Sequence, residues 1–191
     1  MPCNLVIFRP QSASKVKCLM VVAEIHKSLG IPPDYGRRPF RPQYLEAEHL
    51  VEVGVDDLGR VQMLAPDTAQ AWTEMVEAAR SDNVYILLVS GFRSIEYQCG
   101  IFERKLAAGL PIDAILAVNA APGFSQHHTG HAVDVGTPEC EFLTEKFEQT
   151  EAFRWLGSNA HTFRFSMAYP RNNKFGFIYE PWHWAHAAIG I

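Results

Sequence analysis

Apolar positions along the 191-residue chain recur with helical and strand-like periods, and each stretch predicts an element. Val16, Leu19, Met20, Ala23 and Ile25 partly fit one helical face within residues 11–29, and Gly30 with Pro32-Pro33 ends it. Residues 34–44, rich in Pro, Gly and Arg, read as irregular chain crossing a surface. Segments 49–55 and 60–64 alternate weakly around Asp56-Asp57-Leu58-Gly59, which predicts a short hairpin. Pro66-Asp67 open a helix whose buried face is Ala69, Trp72, Met75, Val76 and Ala79. A continuous apolar run over 84–89 predicts a buried strand, and Ser94 can cap a second helix that runs to about Ala108, ahead of Gly109 and Pro111.

Beyond a loop containing Pro122 and Gly123, the pattern predicts a strand over 132–135 and one or two helices within 139–157, with Trp155 and Leu156 inward. Two last strands are expected over 163–168 and 175–179. No repeat, low-complexity tract or linker interrupts the chain. The reading is one α+β domain over 1–191, a small central antiparallel sheet packed by helices.

Composition leaves that picture intact, since 48% hydrophobic and 20% charged residues are ordinary for a globular domain with one core. Seventeen basic against twenty-one acidic residues, dispersed along the chain, point away from nucleic acid as a partner. Cys3, Cys18, Cys99 and Cys140 form neither a C-x-x-C pair nor a disulfide framework and read as free, partly buried thiols. No segment has the length of a membrane span. The apolar stretches near the start are too short, and too interrupted by Lys15, Lys17 and Lys27, for a secretory signal.

The chemistry concentrates in two motifs. Ser125-Gln126-His127-His128-Thr129-Gly130-His131-Ala132-Val133-Asp134 fits S-x-H-x-x-G-x-A-x-D, and Glu180-Pro181-Trp182-His183 fits E-x-W-H. Imidazole and carboxylate suit zinc, and a catalytic zinc site commonly has three protein ligands and one open position. His127, Asp134 and His183 supply that number, for a single Zn2+. Gly130 would let the backbone turn closely past the metal, and small Ala132 would leave room beside it. Metal-activated water still needs a base, and Glu180 is placed for it if a turn at Pro181-Trp182 brings Glu180 and His183 to one site. His127 with His131, four residues apart, is a rival ligand pair on a helix. Gly130, Pro122-Gly123 and the lack of a Glu after His127 rank it lower. His128 and His131 then fall to supporting or exposed positions, and His186 to a weak alternate ligand. Core packing is the default for Trp182 and Trp184.

These motifs, with Ser90-Gly91-Phe92-Arg93-Ser94 and Gln98 upstream, resemble the VanY-like D-alanyl-D-alanine carboxypeptidases, within the wider zinc peptidase group that includes lysostaphin-like enzymes and the hedgehog signalling domain. The resemblance covers residues 41–187, with 1–40 as an extension packed on that core. It implies zinc held by His127, Asp134 and His183, Glu180 as acid/base, and Arg93 near the scissile carbonyl, a salt bridge being the plainer role for Arg93. Ser125, Gln98 and Tyr169 match substrate-binding or wall positions, and His131 departs from the small or apolar residue of many relatives. The implied partner is a peptidoglycan stem peptide ending in D-alanine, cleaved by a monomer in the periplasm or cell envelope. An L,D-carboxypeptidase, a D,D-dipeptidase and an inactive zinc-containing binding module are the rivals, and the presence of Glu180 argues against the last.

Overall fold

In a computed structural model of the protein, residues 21–189 are described, except 38 and 57. The expected helix over 11–29 is seen as a helix through 21–29 (α1), its first half lying outside the described residues, as do Cys3 and Cys18. Residues 32–37 and 39–47 are irregular, as the Pro and Gly content requires.

The hairpin forms as expected: β1 (Val51–Val55) pairs antiparallel with β2 (Val61–Leu64). Its turn is tied by Asp56, whose carboxylate accepts the Leu58 and Arg60 backbone N–H groups and pairs with the Arg60 side chain. Helix α2 (Pro66–Ser81) starts on Pro66, where a missing N–H costs nothing, and buries Ala69, Trp72, Met75 and Ala79. Helix α3 (Ile95–Ala107) is capped by Ser94, whose hydroxyl accepts the Tyr97 N–H at 3.0 Å.

The central sheet has four antiparallel strands in the order β3-β4-β6-β5. These are β3 (Leu87–Ser90), β4 (Ala132–Gly136), β5 (Phe165–Met167) and β6 (His183–His186). One face, carrying Val133, Val135 and Trp184, packs with α2 and α5 (Glu151–Asn159) into the main core, which includes Trp72, Met75, Phe147, Trp155, Leu156 and Phe165. A second apolar cluster joins Val22, Leu29 and Ile31 to Phe102 of α3 and Ile115. No helix among the described residues is long and apolar enough to cross a membrane.

Three expectations are corrected. The apolar run at 84–89 enters the sheet only from Leu87, the chain before it being bound to the end of α2 through the Val84 N–H and the Ala79 carbonyl. Between Pro111 and Pro122, where no element was expected, Pro111 precedes a short helix, α4 (Ile112–Val118). Residues 175–179 are not a strand: Phe175 and Phe177 pack around Tyr169, at ring separations of 5.9 and 4.9 Å, and the last strand is His183–His186.

Candidate metal centre and surrounding cleft

The β4–β6 ladder assembles the centre. Asp134 and His183 are register partners on these strands, so their side chains leave the sheet on the same face. His127 arrives from a 3-10 turn, Gln126–Thr129, just before β4. The expected turn at Pro181-Trp182 is present, closed by the His183 N–H donating to the Glu180 carbonyl at 3.1 Å, and both side chains line one cleft.

The hydrogen bonds fix which nitrogen of each ring faces inward. His127 Nδ1 lies 2.7 Å from the Gly91 carbonyl, which can only accept, so Nδ1 carries the proton and Nε2 keeps a lone pair. His183 Nε2 lies 2.9 Å from Gln126 Oε1, with the Gln126 amide nitrogen toward the Tyr44 hydroxyl, so His183 Nδ1 is the unprotonated position. Both lone pairs point at Asp134: His183 Nδ1 is 2.9 Å from Oδ1 and His127 Nε2 is 3.2 Å from Oδ2. His127 Nε2 is buried and has no hydrogen-bond partner. Two lone pairs and a carboxylate facing one another repel unless a cation lies among them, and the three donor atoms stand within 4.8 Å of one another. The residues therefore fit a divalent metal ion, with Gly91 and Gln126 orienting its imidazoles.

Electrostatics agree with a neutral His127 beside an ionised carboxylate. Burial, assisted by the Arg93 charge, lowers His127 to about 4 against the raising effect of Asp134. Burial alone would raise Asp134, but without a metal ion the charge and hydrogen bonds that His127 and His183 supply when protonated hold it well below the usual carboxylate range, a place a cation takes when both rings are neutral. Glu180 behaves in the opposite way: loss of water pushes its carboxyl up to about 7, with Asp134 adding to the rise while His183 and Arg93 oppose it.

The cleft has a volume of about 350 Å³ and is lined by Arg93, Gln98, Ser125 and Tyr169 together with the three donors and Glu180, so all eight singled-out residues meet in one place. Arg93 lines the cleft and forms the salt bridge expected as its plainer role, pairing with Asp134 Oδ2 at 3.2 Å. Gln98 is buried, donating to the Ala120 carbonyl at 2.7 Å and accepting from Arg93 at 3.4 Å, which ties the guanidinium to the 120 loop. Tyr169 stacks on His183 at 4.6 Å and its carbonyl accepts the Glu180 N–H at 3.0 Å.

Other assignments need correction. Gly130 does not serve close passage of the backbone past the metal. It has φ +70°, and a Cβ there would fall 2.8 Å from the Ala65 nitrogen, so glycine is needed where this turn meets the start of α2. His186 is not an alternate ligand at this centre, nor does His131 lie beside it; both belong to a separate group with Asp67. His128 is a buried strut, Nδ1 donating to the Arg93 carbonyl at 2.6 Å and Nε2 accepting the Gly123 N–H at 3.1 Å. Sequence reading passed over Gln126, which orients His183, and Lys105, which lines the cleft. The signal for Lys105 was its seven-residue spacing from Gln98, which puts both on one face of α3.

Comparison with known proteins points the same way. The family model described as VanY, D-alanyl-D-alanine carboxypeptidase, matches residues 61–189. YodJ of Bacillus subtilis, described as a carboxypeptidase, is 30% identical over 166 residues, covering 85% of this chain and 58% of its own length. The chain spans about half the length of the curated relatives it matches. Among solved structures it is similar to the LdcB LD-carboxypeptidase, a structure concerned with peptidoglycan recognition (TM-score 0.67, 31% identity, 77% of this chain and 72% of that one). It is also similar to a vancomycin-resistance D,D-pentapeptidase VanY in complex with Zn(II) (TM-score 0.58, 28% identity, 74% and 80%). Since the family model spans both motifs and every donor of the centre, the chain belongs to the VanY D-alanyl-D-alanine carboxypeptidase family.

Proposed function

We propose that the protein is a zinc-dependent carboxypeptidase that removes a C-terminal D-alanine from peptidoglycan stem peptides. The observation that carries this reading is the convergence of the His127 and His183 lone pairs on Asp134, in a cleft that also holds Glu180 and Arg93. Zinc held by these three residues would polarise the scissile carbonyl and make a water molecule acidic enough to attack near neutral pH. Glu180 takes the proton from the attacking water and returns it to the departing amine of D-alanine. Burial raises the basicity of this carboxylate, which suits it to take up the proton. Arg93 faces the carbonyl oxygen as negative charge grows on it, held in place by Asp134 and Gln98.

The cleft walls favour a small acid terminus. Arg93 and Lys105 offer positive charge to a terminal carboxylate, and Leu143 and Ile178 offer apolar surface to a methyl group. Ser125, Gln98 and Tyr169 are assigned to holding the peptide. The likeness to LdcB favours a second reading, cleavage of an L,D bond in a tetrapeptide, by the same catalytic groups. Incubating the purified protein with a muramyl pentapeptide and a tetrapeptide, with and without a chelator, separates the readings. D-alanine release from the pentapeptide, abolished by chelation and restored by Zn2+, is expected. Release from the tetrapeptide alone replaces the D,D reading with the L,D one, and no release from either with zinc fully loaded removes both.

A further inference from the structure

Side chains three residues apart on a strand leave the sheet on opposite faces. Asp134 and His183 face the cleft. His131 and His186, three positions away on the same two segments and joined by the His186 N–H to the His131 carbonyl at 2.8 Å, therefore face the side on which α2 packs. There the first turn of α2 presents Asp67. We propose that Asp67, His131 and His186 form a second binding site for a divalent transition-metal ion, apart from the cleft.

The three donors lie within 4.8 Å of one another. His131 Nδ1 is 3.4 Å from Asp67 Oδ1, and His186 Nδ1 is 4.0 Å from Asp67 Oδ2. Two ligands about 2 Å from a tetrahedral ion stand about 3.4 Å apart, so the first pair is already spaced for one and the second must close by roughly half an ångström. The independent sign is His186: its ring is 1% exposed, and its Nδ1 is buried with no hydrogen-bond partner while facing the Asp67 carboxylate. Such an orphan is costly in a folded protein, and a cation on the Asp67 side satisfies it. Asp67 is half exposed, which leaves the remaining coordination positions open to water. Two imidazoles and one carboxylate suit Zn2+ and its neighbours over Mg2+ or Ca2+.

This site is the weaker of the two. The Thr68 hydroxyl hydrogen-bonds His131 Nδ1 and must yield to the ion, and the Arg164 charge acts on His186. The ion would pin the start of α2 to the end of β6, and the inference stands whether or not the cleft is a peptidase site.

Zinc titration calorimetry on the full chain, stripped of metal beforehand, tests it. The wild type is expected to take up two equivalents at saturation, the second at least tenfold more weakly. His131→Ala is expected to bind one equivalent tightly and to hydrolyse substrate as the wild type does. Asp67→Asn, with an intact circular dichroism spectrum, serves as an independent variant and should lose the same equivalent, while His183→Ala should lose the tight one. Saturation of the wild type at one equivalent, or unchanged stoichiometry in both His131→Ala and Asp67→Asn, overturns the proposal.

Discussion

The two ends of the β4–β6 ladder carry the same donor types and differ in what surrounds them. At the cleft end each imidazole is oriented by an acceptor behind it, the Gly91 carbonyl for His127 and Gln126 Oε1 for His183. A guanidinium and a carboxyl of raised pKa stand in the same cavity. At the α2 end the carboxylate is half exposed, and His186 Nδ1, facing it, is buried without a hydrogen-bond partner. Ligand type alone therefore permits a metal. Chemistry requires the anchored ring, the enclosed cavity and a proton acceptor beside it.

The largest effect that should separate the two ends is loss of the base. Glu180→Gln keeps the three donors and should keep zinc in the cleft while lowering kcat by about 10²–10⁴-fold, measured by D-alanine release alongside zinc content. Turnover within a factor of a few of the wild type would remove Glu180 from the proton transfers and make the two ends chemically alike. A smaller effect probes the anchoring. Gln126→Ala removes the acceptor that orients His183 and should weaken zinc binding in the cleft by about 10–100-fold, with no effect on the Asp67 group. Equal weakening at both ends would mean that Gln126 acts through the fold and not through the ring.

The cleft end was legible in the sequence because its residues are fixed locally. His127 and Asp134 sit in one ten-residue motif, and Glu180 and His183 in one turn whose closure Pro181 favours. The α2 end was not legible, because which face a strand residue takes depends on where the ladder begins. The final strand was expected at 175–179, where aromatic alternation imitates a strand but packs on Tyr169. With β6 actually at His183–His186, the phase of His186 and its pairing with His131 follow at once. Helix α4 was missed for a related reason, since Pro111 reads equally as a helix stop and as the residue ahead of a new start.

The smallest expected effect concerns stability and isolates the Glu180 environment without catalysis. In the metal-free protein the folded-state pKa of Glu180 is about 7, against an ordinary value of 4.5. The folded state thus holds this proton more tightly than the unfolded chain. Its contribution to stability is complete below pH 4.5 and is lost as pH rises through 7. Gln at this position imitates the neutral acid at every pH. Urea unfolding of the two metal-free proteins should therefore give matching stabilities near pH 4 and a Glu180→Gln advantage of about 1–2 kcal/mol near pH 8, after discounting for residual solvent access. Zinc in the cleft should shrink that difference, because a nearby cation favours the carboxylate. A difference that stays constant between pH 4 and 8 would show that Glu180 keeps its hydration, and the contrast between the enclosed and the open end of the ladder would lose its electrostatic part.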